Sequence, residues 1–310
     1  TGGGRVLNVT SSQGLLYSLE QLPVQSGTRF PMVLNLAARA INGPLNIRCD
    51  HSDLYFALNT GWIILLAKDP QAVYDMNLMA VKIGEHPKLR LPVIVAYDGF
   101  FTSHQKRRVN VLGDEQVRRF VGEASAPFTT LDLDRPVTVG PYMNDPDLIN
   151  SKYQLKLAFD AARTIIPKCF TEYAKLSGRH YGTVERYSMD DADVALVLLN
   201  SAAETAKDAV DRLRQERLKV GVLSLSMLRP FPVDELRAAL RPLKVIVIAD
   251  RADSYGADGG NLSLEVRAAL QEDPKNHTVC LSRVYGLGGK DFTIEDASLL
   301  FKQAFSALKD

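Results

Sequence analysis

Short apolar runs alternate with amphipathic stretches along almost the whole chain. Four of these runs, MVLNL at 32–36, PVIVAY at 92–97, VALVLL at 194–199 and VIVIA at 245–249, have the length and the Val and Ile content of buried strands. The last two are followed by predicted helices, AAETAKDAVDRLRQE at 202–216 and GGNLSLEVRAAL at 259–270. Strands that alternate with helices predict an α/β fold whose sheets are mainly parallel, with helices on both faces.

The alternation is interrupted in the middle of the chain. Residues 122–146 are rich in Pro, Thr and Asp and lack periodicity, and a long amphipathic helix is predicted at about 151–177, where Pro167 should kink or divide it. Residues 178–187 are predicted to be a second connector. We therefore expect two doubly wound domains, 1–121 and 190–310, joined by an irregular linker and a long helix at 122–189.

The chain opens on TGGGRVLNVTSSQG, a Gly-rich turn followed by a strand and the start of a helix. This pattern is typical of the middle of an α/β unit. We therefore expect that the first domain lacks its N-terminal part. The strand is predicted at about 5–9 and the helix at about 15–22, with the Ser and Thr of TSSQG as its N-cap.

Composition excludes several classes of function. The 310 residues carry a formal net charge of +1, which provides no global field for nucleic acid or an anionic membrane, and no apolar run approaches the length of a membrane span. The three cysteines are far apart and too few for an iron–sulfur cluster, which needs about four thiolates. They suit a reducing compartment, and we expect a cytoplasmic protein.

Two glycine-rich stretches resemble phosphate loops only loosely. YGLGGK at 285–290 lacks the spacing of a Walker motif, and DSYGADGGN at 253–261 does not fit a dinucleotide fingerprint. Turns after strands explain both better. TSSQG could receive an anion at a helix N-terminus, but a simple helix cap is favoured.

Charged residues follow the second predicted strand. Arg39 lies just past its carboxyl end, where ligands collect in open α/β sheets, and a guanidinium can grip a carboxylate in a bidentate fork. A structural ion pair with Asp50 or Asp53 is an equally good interpretation. The cluster Asp50-His51-Ser52-Asp53 could hold a metal or perform acid–base chemistry, or it could cap a helix and place acids in its first turn.

Several segments together resemble a known family. NVTSSQGLL, ARAINGPLNIRCDHSD, NTGW, AYDGFFTSH, DRPVTVG, LRPFPVDELRAAL and YGLGGKDFT occur in this order. They are similar to the α subunit of 2-oxoacid:ferredoxin oxidoreductases of the pyruvate synthase type, over essentially all 310 residues. The resemblance implies a pyrimidine-binding-type thiamine domain followed by a transketolase C-terminal-like domain.

The resemblance also implies an activity and partners. These enzymes use thiamine diphosphate and coenzyme A to convert a 2-oxoacid to acyl-CoA and CO2, in anaerobic metabolism. The diphosphate, its Mg²⁺ and a [4Fe-4S] cluster are expected on a β subunit, with a γ subunit and a ferredoxin-like cluster subunit completing the complex. Electrons then pass to ferredoxin or a similar acceptor, and neither nucleic acid nor a membrane is an expected partner.

For the site, the resemblance implies that Arg39 engages the carboxylate of the substrate. Candidate residues that line the active site are Ser11, Ser12, Gln13, Asn42, Asp50 and His51. The glutamate that activates the thiamine ring in the family would precede TGGGRV, and no residue of this chain takes its role.

Three alternatives stay open at this point: an aromatic 2-oxoacid dehydrogenase subunit that passes electrons to NAD, a non-catalytic scaffold subunit, and a transketolase-like carboligase that needs no iron–sulfur protein. The identity of the 2-oxoacid is also open.

Overall fold

The computed structural model describes residues 1–124 and 126–308, and these residues form two five-stranded sheets with flanking helices. Most strand pairs in both sheets are parallel. The predicted α/β class with mainly parallel sheets is therefore confirmed. None of the helices within the described ranges combines the length and hydropathy of a membrane-spanning segment.

The first sheet is built mainly from the N-terminal part of the chain. Its strands, in spatial order, are β1 (Leu7–Thr10), β2 (Val33–Ala38), β4 (Val93–Asp98), β3 (Ile63–Leu66) and β8 (Met227–Arg229). The first four are parallel to their neighbours, and β8 is antiparallel to β3.

The second sheet is built from the C-terminal part. Its strands, in spatial order, are β10 (Val279–Val284), β9 (Val245–Asp250), β6 (Val194–Leu199), β7 (Val220–Leu225) and β5 (Val184–Tyr187). Only the edge strand β5 runs antiparallel to its neighbour, β7.

Helices cover both sheets. They are α1 (Gln13–Ser18), α2 (Gln21–Gly27), α3 (Ser52–Phe56), α4 (Pro70–Gly84), α5 (Asp114–Val121), α6 (Asp147–Ser177), α7 (Asn200–Gln215), α8 (Val233–Leu240), α9 (Asn261–Gln271) and α10 (Ile294–Ala307). A short 3-10 turn spans Leu287–Gly289. Pro167 was predicted to kink or divide the long helix α6, and α6 is not divided, because it runs through Pro167 without a break.

Alternating side chains of each strand enter different cores, as the two-residue period of a strand requires. On one face of the first sheet, Ile63 and Val95 pack with α4 and α6. On its other face, Ile64 and Ile94 belong to a cluster that also contains Ile246 of β9 in the second sheet. The two sheets therefore share one core, which holds the carboxyl ends of their strands in a fixed relation.

Three local predictions are wrong. The apolar run 219–228 is not one strand, because it divides between β7 in the second sheet and β8 in the first, where Ser226 O accepts the Leu66 N–H at 2.9 Å. The predicted connector 178–187 contains β5. The helix expected at about 15–22 is two short helices, α1 and α2. In the first two cases pairing between distant segments decides the outcome, and local periodicity does not report it.

Candidate functional site

The carboxyl ends of three neighbouring parallel strands meet at one edge of the first sheet. β1 ends at Thr10, β2 at Ala38 and β4 at Asp98, and β2 pairs with both of the others. The next residues along the chain, Ser11, Arg39 and Gly99, follow these ends directly. Because ligands of open α/β sheets bind at such an edge, this is the place where a functional site is expected.

Arg39 is half-buried, and most of its hydrogen-bonding capacity is uncommitted. Its Nη1 donates to Ser11 Oγ at 3.0 Å, while its Nε is buried with no partner among the described residues. Within residues 1–124 and 126–308 its guanidinium forms no ion pair with Asp50 or Asp53. The interpretation as a structural ion pair is therefore not supported, and the arginine keeps donors for an incoming anion.

Gly99 makes room for this arginine. A Cβ atom at position 99 would lie 2.9 Å from Arg39 Cγ and 2.6 Å from the Ala38 carbonyl oxygen. Both distances are shorter than non-bonded contacts allow, so a larger residue after β4 would collide with the Arg39 side chain and the end of β2.

The segment TSSQG lies against Arg39, but its serines do not cap α1 as predicted. Ser11 accepts the arginine hydrogen bond, and Ser12 Oγ bonds to the Ala40 carbonyl oxygen at 2.5 Å and to Gln13 Oε1. Ser12, the N-cap residue of α1, makes no side-chain hydrogen bond to the first turn of the helix. Contact with the turn after β2 therefore replaces the cap, and it brings Ser11 beside Arg39 and Ser12 beside Ala40, while the Gln13 side chain contacts Ser12.

A groove of about 770 Å³ opens next to this edge, between the two sheets. Asn42 is exposed on its wall and its Oδ1 accepts the Asn46 N–H at 3.3 Å. The lining residues are Ala40, Ile41, Asn42, Gly43, Pro44, Leu45, Asn46, Asp50, Ser52, Tyr55, Phe56, Asp253, Ser254, Tyr255, Asn261, Leu287 and Gly288. Of the predicted site residues, Asn42 and Asp50 line this groove.

Asp50 connects the loop after β2 to the 286–289 turn, which follows β10 of the second sheet. Its carboxylate accepts the Ser52 N–H at 3.0 Å and the Gly288 N–H at 3.3 Å. A Cβ at Gly289 would lie 2.2 Å from Arg48 Cβ, so only glycine permits this close packing. YGLGGK is therefore a tight turn against the loop, as the simpler interpretation predicts.

The glycines before α9 also form a turn, and the backbone N–H groups at the start of α9 already have a hydrogen-bond partner. Asp250, at the end of β9, accepts the Leu262 N–H at 2.7 Å and the Ser263 N–H at 3.1 Å. Burial raises the pKa of Asp250 to about 6, against the pull of these two N–H groups. An anionic ligand would have to displace this carboxylate.

His51 belongs to a buried charge network that joins the two sheets. Its Nε2 lies 2.7 Å from Asp98 Oδ1, and Arg251 Nη1 donates to Asp98 Oδ2 at 3.1 Å. Asn200 and the backbone of Ser201 donate to the same carboxylate. Burial alone would raise the pKa of Asp98, but His51 and Arg251 hold it well below its usual range. His51 thus bridges the sheets and does not face the groove.

The cluster Cys49, His51 and Asp98 brings together three groups of metal-binding type. The guanidinium of Arg251 already lies among them, with Nη1 3.8 Å from Cys49 Sγ. Burial also raises the pKa of the Cys49 thiol, which keeps it protonated. This donor set therefore fits a fixed positive charge better than a metal ion, and the metal interpretation of the acid–histidine cluster is disfavoured.

Sequence reasoning missed Asp98, Gly99 and Arg251 as parts of this arrangement. Asp98 is the last residue of β4, and Gly99 and Arg251 directly follow the ends of β4 and β9, which is the signal that identified Arg39. Asp53 was expected to be an acid in a first helical turn, and it does lie there, but it is fully buried.

Two family models match the chain. Residues 1–171 match pyruvate flavodoxin/ferredoxin oxidoreductase, thiamine diphosphate-binding, and residues 192–297 match pyruvate:ferredoxin oxidoreductase core domain II. The chain is 38% identical over 304 residues to pyruvate synthase subunit PorA of Thermotoga maritima, an alignment that covers 98% of this chain and 77% of the relative. It is 32% identical to ketoisovalerate oxidoreductase subunit VorA of Pyrococcus horikoshii, over 96% of this chain and 75% of the relative.

A solved structure has the same fold. The 2-oxoglutarate:ferredoxin oxidoreductase from Magnetococcus marinus, with 2-oxoglutarate, coenzyme A and succinyl-CoA bound, matches with a TM-score of 0.63 at 18% identity. The match covers 96% of this chain and 53% of the other, so this chain spans about half the length of that one. The family models together cover most of the residues, and the resemblance seen in the motifs is confirmed: the chain belongs to the pyruvate flavodoxin/ferredoxin oxidoreductase family.

Proposed function

We propose that this chain is the α subunit of a thiamine diphosphate-dependent 2-oxoacid oxidoreductase. The complex oxidatively decarboxylates a 2-oxoacid, transfers the acyl group to coenzyme A and passes electrons through iron–sulfur clusters of partner subunits to ferredoxin or a similar acceptor. Family membership supports this activity. The observation that carries it in this chain is Arg39, an uncommitted guanidinium at the carboxyl edge of the sheet.

Arg39 binds the carboxylate of the 2-oxoacid. Ser11 Oγ accepts a hydrogen bond from Nη1, which fixes the plane of the guanidinium. Nε is buried, so the free Nη1 and Nη2 N–H groups are the donors proposed for the carboxylate. A carboxylate that accepts two N–H groups of one guanidinium is fixed in position as well as in charge. Partial burial strengthens the interaction, because water screens it less than at an exposed site.

The described residues do not fit the diphosphate end of thiamine diphosphate at either glycine-rich turn. Asp250 occupies the N–H groups at the start of α9, and Asp50 and Arg48 fill the space around the 286–289 turn. We therefore assign the diphosphate and its Mg²⁺ to the β subunit, so that the cofactor is shared between subunits.

The cysteines support clusters on partner subunits. Cys49 and Cys169 are buried at separate places and Cys280 is partly buried at a third, so the three thiols do not converge. A β subunit and a ferredoxin-like subunit then supply the [4Fe-4S] clusters, and a γ subunit completes a cytoplasmic complex.

The test is acceptor reduction by the purified complex with a panel of 2-oxoacids: pyruvate, 2-oxoglutarate, a branched-chain and an aromatic 2-oxoacid. We expect dye reduction that requires both coenzyme A and one class of 2-oxoacid. Direct NAD reduction with the aromatic acid would favour an aromatic 2-oxoacid dehydrogenase. An intact, cluster-containing complex that is inactive with every acid would refute the proposal, and 2-oxoacid oxidation that persists when this chain is omitted would indicate a scaffold role.

A further inference from the structure

Asp53 connects the two turns that surround Arg39. Its carboxylate is fully buried, and its Oδ2 accepts both the Ser12 N–H at 2.6 Å and the Arg39 N–H at 3.0 Å. Its Oδ1 accepts the Leu54 N–H at 2.7 Å. One oxygen atom therefore links the residue that follows Ser11 to the backbone of Arg39 itself.

The turn after β1 needs this support. Ser12 has a φ of 50°, which is uncommon for a residue other than glycine and costs conformational energy unless neighbouring contacts hold it. The Asp53 bond to its N–H and the Ser12 Oγ bond to the Ala40 carbonyl oxygen provide those contacts. Both join the turn after β1 to the turn after β2, so the separation of Ser11 from Arg39 depends on them.

The other buried acids near this edge of the sheet have different partners. Asp50 binds Ser52 and the 286–289 turn, and Asp98 binds His51 and Arg251. Neither of these carboxylates bonds to the backbone at Ser12 or Arg39, so the connection between the two turns through a carboxylate belongs to Asp53.

We infer that Asp53 is a positioning residue for the 2-oxoacid: by holding the backbones of Ser12 and Arg39 on one buried oxygen, it sets the place at which Arg39 meets the substrate carboxylate. This role rests on the proposed function. Asp53 does not touch the substrate, and its loss should raise KM for the 2-oxoacid more than it lowers kcat.

The protonation state of Asp53 matters for this role. Both of its oxygens accept N–H groups, and protonation would place a hydrogen where one of these acceptors is needed. Burial raises the pKa of Asp53 to about 7, although the three N–H groups and the nearby His51 pull it down. The other titratable or charged neighbours are Cys49 in its own loop and Arg39 at the end of β2. The carboxylate is therefore expected to be lost as the pH falls through neutrality.

The experiment measures steady-state kinetics of the whole complex with its active 2-oxoacid between about pH 6 and pH 8. For the unmodified complex we expect KM for the 2-oxoacid to rise as the pH falls, while KM for coenzyme A stays constant. Asp53→Asn should raise the 2-oxoacid KM about 10- to 100-fold at pH 8, change kcat by less than about threefold and abolish the pH dependence of KM.

Asp250→Asn is the matched control. Asp250 is also a buried carboxylate that holds two backbone N–H groups, but these N–H groups belong to α9 and not to the turns after β1 and β2. It should lower the thermal stability to a similar degree and leave the 2-oxoacid KM unchanged. If Asp53→Asn does not fold, Ser12→Ala tests the same connection, because it removes the Ser12 Oγ bond to the Ala40 carbonyl oxygen; an unchanged 2-oxoacid KM in that variant contradicts the inference.

The outcomes separate the two proposals. A complex without any 2-oxoacid turnover would refute the proposed function. An active complex in which Asp53→Asn keeps the KM and the pH profile of the unmodified protein, or in which Asp250→Asn raises KM equally, would refute the role of Asp53 alone.

Discussion

Replacement of Arg39 should weaken use of the 2-oxoacid while the complex still assembles. The guanidinium is half-buried and already gives one donor to Ser11, so we expect the lower part of the range for a charge-assisted pair, about 2–3 kcal/mol. At 1.36 kcal/mol for each factor of ten, Arg39→Ala should lower kcat/KM about 30- to 150-fold. Arg39→Lys should still lose about tenfold or more, because an ammonium group lacks the planar fork.

The assay is dye reduction by the purified complex over a range of 2-oxoacid concentrations, with subunit composition checked by gel filtration. Arg48→Ala is the control, since Arg48 is an exposed arginine of the same loop whose guanidinium lies over the Phe100 ring. It removes the same charge and should change kcat/KM less than about threefold. Near-normal turnover of Arg39→Ala with every active 2-oxoacid would show that Arg39 does not bind the carboxylate.

Two further predictions concern the buried network and the cofactor. Asp98→Asn should lower the free energy of unfolding by about 3–5 kcal/mol in urea titrations, because Arg251 would be left buried without its partner. The pKa of Asp98 is lowered in the folded chain, so its stabilising contribution should be complete above about pH 4, the ordinary range of an aspartate, and should be lost as the pH falls below that value. A free energy of unfolding of Asp98→Asn equal to that of the unmodified chain would contradict this network. The isolated chain should bind thiamine diphosphate and Mg²⁺ weakly by calorimetry, and tightly only with the β subunit; tight binding by the chain alone would show that the cofactor is assigned to the wrong subunit.

Periodicity predicts the strands of this fold well where they are buried on both faces, as in β4 and β9. It fails where one apolar run contributes strands to two sheets: Leu225 ends β7 in the second sheet, and Met227, two residues later, begins β8 in the first. The pattern of residues 220–228 is equally compatible with one long strand. Only the pairing of β8 with β3, more than 150 residues earlier in the chain, divides it.

The site was predictable to a similar extent. The position of Arg39 after a buried strand predicted it at the carboxyl edge of the first sheet, where it lies, and Ser11 of the TSSQG segment lies beside it. The partners of His51 were not predictable, since Asp98 and Arg251 lie 47 and 200 residues away along the chain and no local pattern relates them. The contacts of Asp53 were hidden for the same reason, because its bond to Ser12 joins α3 to the turn after β1 across 41 residues.

The most direct test of the proposed activity is product analysis with a 2-oxoacid labelled at its carboxyl carbon. The purified complex, supplied with thiamine diphosphate, coenzyme A and an oxidised acceptor, should release labelled CO2 and form one unlabelled acyl-CoA for each two electrons transferred. Both products should depend on coenzyme A and fall in parallel in Arg39→Ala. Labelled CO2 without acyl-CoA or acceptor reduction, or no release of label by an intact complex with any 2-oxoacid, would contradict the assignment of this chain to a 2-oxoacid oxidoreductase.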